Sequence, residues 1–295
     1  MQLIFRLHNK DMIKILTDSS SDLTKDMQKN YDIDVIPMTV CFGNEQFLDG
    51  IDLTHDEFYQ RLSAVETLPT TSQINPNQYA DIFRPYLERN EEVILLPISS
   101  KLSGTNQSAH IALDLLEDDG FDTSIIHIVD SLNAAMGLSI LAIEASKMRS
   151  QGLSALEIVA ELENLKHNIC LIASLDTLKF LKMGGRLSAT SAFIGGILGI
   201  NPLIQIIEGE VVSTGKERGR KVSYKRIKEF IEEHPIDKSK TLIVAETFSN
   251  GYIQDFMNII EDNLSDSPYL FERIGCTIGT HIGPGAVGIA YVEQK

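Results

Sequence analysis

Apolar positions along the chain alternate between short continuous runs and helical repeats. Residues 13–17, 35–40, 93–98 and 125–129 are branched apolar runs bounded by polar turns, the pattern of strands in a parallel sheet covered on both faces. Between them the spacing predicts helices over 23–31, around Tyr79 to Leu87 after Pro76, and from about Thr105, where Ala109, Ala112, Leu113 and Leu116 recur. Two more are predicted over 134–147 and 155–165. Residues 49–54 carry a capping signal for a helix bearing Phe58 and Leu62, and 68–73 read as a hydroxyl-rich loop. Strands alternating with helices imply a parallel sheet with right-handed crossovers, so the turns after the strands share one edge.

Beyond Asn168 the pattern changes. An amphipathic stretch, 175–182, stops at Gly184, as a helix ending on glycine does. Residues 192–200 are apolar on every side and interrupted by glycine, which suits core, the default, or the wall of an apolar cavity. Residues 203–207 and 211–213 form a strand pair, 241–245 a further strand and 252–264 a helix. The closing stretch sets His281 at the end of one strand, with Gly283-Pro284-Gly285 turning into the last. This divides the chain into an N-terminal extension (1–11), an N-terminal α/β domain (12–165) and a C-terminal α/β domain (166–295).

The chemistry concentrates where the run 93–98 breaks into Ser99, Ser100, Ser103, Gly104, Thr105 and Asn106 just before a helix. In open α/β sheets ligands sit at the carboxyl ends of strands, where helix N-termini present free N–H groups and the positive end of a dipole. An anionic group is the expected occupant. Read blandly, Ser103 only caps the helix; the number of hydroxyls exceeds what a cap needs, and Gly104 lets a ligand approach the backbone. This turn contains neither a Walker-type loop nor a G-x-G-x-x-G fingerprint. Asp18 and Asp130 end two other strands, where orienting the turns is the favoured role.

Composition removes several classes. A formal net charge of −15 argues against general nucleic-acid binding, which neutralises phosphates with Lys and Arg. The longest apolar stretch falls far short of the roughly 20 residues of a spanning helix, and residues 1–11 make a poor signal peptide, so a cytoplasmic location is expected. Cys41, Cys170 and Cys276 are widely spaced, giving neither a zinc motif nor a disulfide framework; no metal or cofactor is expected. Against this acidic background Lys216, Arg218, Arg220, Lys221, Lys225, Arg226 and Lys228 crowd together, either as a solvated helix face or as a docking or phosphate-facing surface.

Taken together, Leu16-Thr17-Asp18-Ser19, Thr70-Thr71-Ser72-Gln73, Ser99 to Thr105, Gly184-Gly185-Arg186 and His281-Ile282-Gly283-Pro284-Gly285-Ala286 resemble the DegV family of bacterial proteins, in the family's order and over the chain from Met12. The resemblance implies two α/β domains, an N-terminal parallel sheet with helices on both faces and a C-terminal mixed sheet, holding a long-chain fatty acid between them. It implies that Thr71, Ser103 and His281 hold the carboxylate, with Ser72, Gly104 and Arg186 as additional polar contacts. It also implies a partner, the catalytic subunit of an ATP-dependent fatty acid kinase serving phospholipid synthesis, with Arg218 matching an arginine of that encounter and Arg220 and Lys221 beside it. The usual threonine after that arginine is Gly219 here. Phe193, Ile194, Ile197 and Leu198 are the expected acyl-chain wall. In this reading the chain is a carrier without turnover, with at most transient contact with a membrane surface. Two other functions compete: a serine hydrolase of lipid esters with Ser103 as nucleophile and His281 as base, although Ser103 is not in a G-x-S-x-G elbow, and a regulatory module with lipid as its signal.

Overall fold

The computed structural model describes residues 13–65, 67–190, 199–248, 251–264 and 267–295. In chain order the elements are β1 (Ile13–Asp18), α1 (Lys25–Tyr31), β2 (Ile33–Ile36), β3 (Thr39–Phe42), β4 (Glu45–Leu48), α2 (His55–Ala64), β5 (Thr70–Ser72), α3 (Pro76–Arg89), β6 (Glu92–Leu96), α4 (Thr105–Asp118), β7 (Ile126–Ile128), α5 (Met136–Ser150) and α6 (Ala155–Leu165). They continue with β8 (Ile169–Ser174), α7 (Lys179–Met183), β9 (Ile200–Ile207), β10 (Glu210–Arg218), α8 (Arg220–Glu233), β11 (Leu242–Glu246), α9 (Tyr252–Leu264), β12 (Leu270–Arg273), α10 (Cys276–Ile282) and β13 (Val287–Val292).

Alternate residues of the parallel sheet β2-β1-β6-β7 feed two cores. Leu16, Val93 and Leu95 pack with Tyr79, Phe83, Ala109 and Ala112 of α3 and α4. Ile13, Ile15, Ile94 and Leu96 pack with α5 and α6 on the opposite face, which is why these strands read as unbroken apolar runs. The second sheet, β10-β9-β8-β13-β11-β12, is antiparallel except for the β11–β12 pair, hence mixed. Its outer face packs on α8 and α9 through Tyr224, Ile227 and Phe256. Both large sheets meet α5, whose buried residues join strands of each in one core.

Polar side chains pin α5 to the two halves. Arg149, fully buried, donates to the carbonyls of Ile13, Tyr31 and Asp32 at 3.1, 2.9 and 3.1 Å. Glu144 accepts from the Thr241 backbone N–H at 3.0 Å and from its hydroxyl. One helix therefore fixes how the sheets face each other.

Several expectations need correction. The run 35–40 is two strands, because Pro37 has no N–H for the ladder, and the chain moves into the separate sheet β4-β3-β5. Residues 70–72 form β5 of that sheet rather than a loop. Helix α7 starts only at Lys179, since Leu175 donates its N–H to Pro202 and is drawn to the sheet. His281 lies in helix α10, not at the end of a strand. Residues 1–11 and the expected wall Phe193, Ile194, Ile197 and Leu198 lie outside the described residues.

Candidate functional site

The carboxyl edge of the parallel sheet is built by its polar turns. Asp18, at the end of β1, accepts the Ser20 and Ile98 N–H groups at 3.0 and 2.8 Å, and Asp130 accepts Ser100 N–H at 3.1 Å. These acids orient turns, as their position predicts. Ser99 donates to the Gly209 carbonyl at 2.8 Å and so ties the turn to the β9–β10 hairpin of the other half. Of the turn's hydroxyls only Ser103 lines the apolar cavity between the sheets. Its Oγ lies 2.9 Å from Thr105 Oγ1 and accepts Thr105 N–H at 3.3 Å. Gly104 is the N-cap of α4 and brings no side chain to it. A Cβ there would sit 2.2 Å from Gln73, so Gly104 makes room for Gln73, which donates to Ser108 at 2.9 Å and lines the cavity itself.

The cavity has a volume of about 150 Å³ and is partly open to solvent. Its wall is mostly apolar and comes from both halves, including Met38, Ile98 and Met136 from one and Leu171, Ile204 and Ala245 from the other. Thr71, Ser103, Arg186 and His281 supply its polar groups together with Gln73 and Thr277. Thr71 Oγ1 lies 2.9 Å from His281 Nε2, joining residues 210 positions apart. Arg186 donates to the Leu102 and Gly184 carbonyls at 3.1 and 2.6 Å, which aims its guanidinium at this cluster. Ser72 alternates away from Thr71 along β5 and is exposed.

Sequence reasoning missed what holds His281 in place. Asp49, after β4, accepts the N–H groups of Cys276 and Thr277 at 3.0 Å each, and Asp22 accepts Gly275 N–H at 2.7 Å. Two acids of the N-terminal half thus seat the N-terminus of α10 by accepting its free backbone N–H groups. In the sequence Asp49 reads only with the capping signal of α2, which Thr54 supplies. Gly184 is required by proximity, since a Cβ there would lie 2.4 Å from His281 Nδ1.

Burial, reinforced by the nearby Arg186 charge, pushes the His281 pKa from 6.5 down to about 4. The imidazole is therefore neutral at pH 7. The unfolded chain takes up its proton below about pH 6.5 while the folded one resists until about pH 4, so His281 costs stability as pH falls through that window, up to about 3 kcal/mol. Urea unfolding at pH 4.5 and 7 will show a smaller loss on acidification in His281→Gln than in the wild type. Equal losses would mean that the ring is not desolvated.

The basic cluster is only partly available. Arg220 pairs with Asp176, donates to the Gly285 carbonyl at 2.8 Å and lies over the Tyr252 ring at 3.5 Å. It clamps the loop after α10 and is not a free docking group, which corrects the expectation for this residue. Lys221 pairs with Asp255 at 3.3 Å and Lys228 with Asp262 at 3.0 Å, whereas Arg218 is exposed on β10.

Two facing sheets around an apolar cavity with a compact set of hydrogen-bonding groups have the form of an α/β ligand-binding protein. The model of the DegV family matches residues 12–294, and the chain belongs to that family. A DegV domain-containing protein of Clostridium perfringens is 34% identical over 284 residues, 96% of this chain and 99% of that one. Among solved structures, a fatty-acid-binding DegV family protein of Thermus thermophilus has 30% identity and a TM-score of 0.83, with 95% of this chain and 99% of the other covered. A stearic-acid-binding protein of Eubacterium ventriosum has 29% identity and a TM-score of 0.85, with 96% and 98% covered.

Proposed function

We propose that this protein binds a long-chain fatty acid in the cavity between its sheets and presents the carboxylate to a separate ATP-dependent fatty acid kinase for acyl-phosphate formation. The observation that carries this reading is one mostly apolar cavity with Thr71, Ser103, His281 and Arg186 on its wall. The fatty-acid and stearic-acid binding of the Thermus and Eubacterium relatives supports it. About 14 methylenes of a C16 chain at about 0.8 kcal/mol each give on the order of 11 kcal/mol gross, whereas each hydrogen bond to the charged head contributes about 1.5–3 kcal/mol. The tail supplies affinity and the polar groups fix position. Phe193, Ile194, Ile197 and Leu198 belong to the acyl wall in this reading, and the protein is a cytoplasmic carrier.

The hydrolase alternative needs Ser103 activated by His281. In the structure Ser103 is paired with Thr105 and the His281 Nε2 with Thr71, an arrangement that favours binding. A lipid-sensing module would use the same site with a different partner.

The experiment pairs lipid titration with kinase turnover. Arg218→Glu will leave fatty-acid affinity within about twofold while lowering phosphorylation at least tenfold, with a deficit that shrinks at high salt. Undiminished turnover would reduce Arg218 to a solvated side chain, and a parallel fall in affinity would move it into the lipid site.

A further inference from the structure

A second cluster of ligating groups stands on the other side of the six-stranded sheet. Cys170 on β8, His234 at the C-cap of α8 and Glu293 just after β13 bring a thiol, an imidazole and a carboxylate within 4.8 Å of one another, the one such group of three among the described residues. His234 Nδ1 is 2.8 Å from Glu293 Oε1, and Cys170 Sγ is 4.0 Å from Glu293 Oε2. All three are partly buried. Leu171 and Ala173, the neighbours of Cys170 on its strand, line the lipid cavity, while Cys170 packs on the opposite core beside α8. The cluster is therefore separate from the lipid site.

Its backbone is fixed. Glu293 donates its N–H to Asn168 at 2.9 Å, Gln294 to Pro235 at 2.7 Å and Asp237 to Val292 at 2.8 Å, so the three donor-bearing segments are bound together. Tyr291 donates to the His234 carbonyl at 2.9 Å, and Phe230 packs on the imidazole at 4.5 Å between ring centres. A site on rigid elements with supported side chains is how metal donors are held in place.

We propose that Cys170, His234 and Glu293 form a binding site for a zinc-class divalent cation, ligated by Sγ, Nδ1 and a carboxylate oxygen, with water in the fourth position. Bond lengths to zinc of about 2.3 Å from sulfur and 2.0–2.2 Å from nitrogen and oxygen place neighbouring donors roughly 3–4 Å apart around a tetrahedral ion. The observed donors lie within 4.8 Å of one another. A thiolate and an imidazole select zinc over calcium or magnesium, and thiolate plus carboxylate balance the charge of the ion. The thiol enters as S–H. Binding forms the S–metal bond and releases that proton to buffer. The ion would link β8, β13 and the end of α8, stapling the last strand.

The test uses the full chain, reduced and freed of metal with a chelator, titrated with Zn²⁺ alone and with Co²⁺ alone. Expected are saturation near one ion per chain, a thiolate-to-cobalt charge-transfer band, proton release seen by calorimetry in two buffers, and a higher Tm with zinc. Cys170→Ser and Glu293→Gln, checked for folding by circular dichroism, will bind at least tenfold more weakly, and Cys170→Ser will abolish the band. Cys41→Ser and Cys276→Ser will keep it. Absence of saturable binding overturns the proposal, as does a band that survives Cys170→Ser.

Discussion

Replacing Arg149 by methionine will lower the folding free energy by about 3–5 kcal/mol, the range for breaking a buried charged network. Arg149 is 2% exposed, and its guanidinium serves the carbonyls of Ile13, Tyr31 and Asp32 and lies 3.2 Å from the Asp32 carboxylate. Methionine fills the channel but accepts no role toward three carbonyls, each costing about 1–3 kcal/mol when left without a donor. Asp32 is itself exposed, so its stranded charge adds little. Against a total stability of about 5–15 kcal/mol this loss is large. Urea unfolding will show a lower midpoint with an unchanged slope, and a loss under about 1 kcal/mol would mean that α5 is not anchored by this residue.

Ala245→Phe will weaken binding of a C18 fatty acid at least a hundredfold, about 2.7 kcal/mol. Ala245 is 1% exposed on β11 and lines the cavity, so a benzyl group there fills space assigned to the acyl chain. The loss equals roughly three or four methylenes at about 0.8 kcal/mol each. It must therefore depend on chain length, with C10 affected far less than C18. Equal weakening of both acids would place the chain elsewhere.

Local chemistry made much of the fold legible. Unbroken apolar runs marked β1 and β6 because helices cover both faces, and the capping signal of 49–54 announced α2, whose capping box at Thr54 the structure shows closed. What stayed hidden depends on distant partners. Thr70 to Ser72 become a strand only because β3 lies beside them, and the glycines around His281 imitate a strand and turn. Residues 169–174 went unassigned, since a short apolar run after a helix suits either state. In the site, local hydroxyls and glycines drew attention to Ser103 and His281, whereas the carboxylate role of Thr71, Ser103 and His281 and the match of Arg186 came only from the resemblance to the DegV family. The Asp49 support of α10 spans 227 residues and has no local signature, and the same holds for the Cys170, His234 and Glu293 cluster.

Carbon-13 NMR of a carboxyl-labelled C16 or C18 fatty acid bound to delipidated protein tests carboxylate binding at Thr71 and His281 most directly. The carboxyl resonance is expected to be shifted from that of the free acid, to broaden or move in Thr71→Val and His281→Gln, and to stay put in Ala173→Val, a change on the apolar part of the cavity wall. A resonance identical to that of the free acid, or one indifferent to Thr71 and His281, would contradict this assignment.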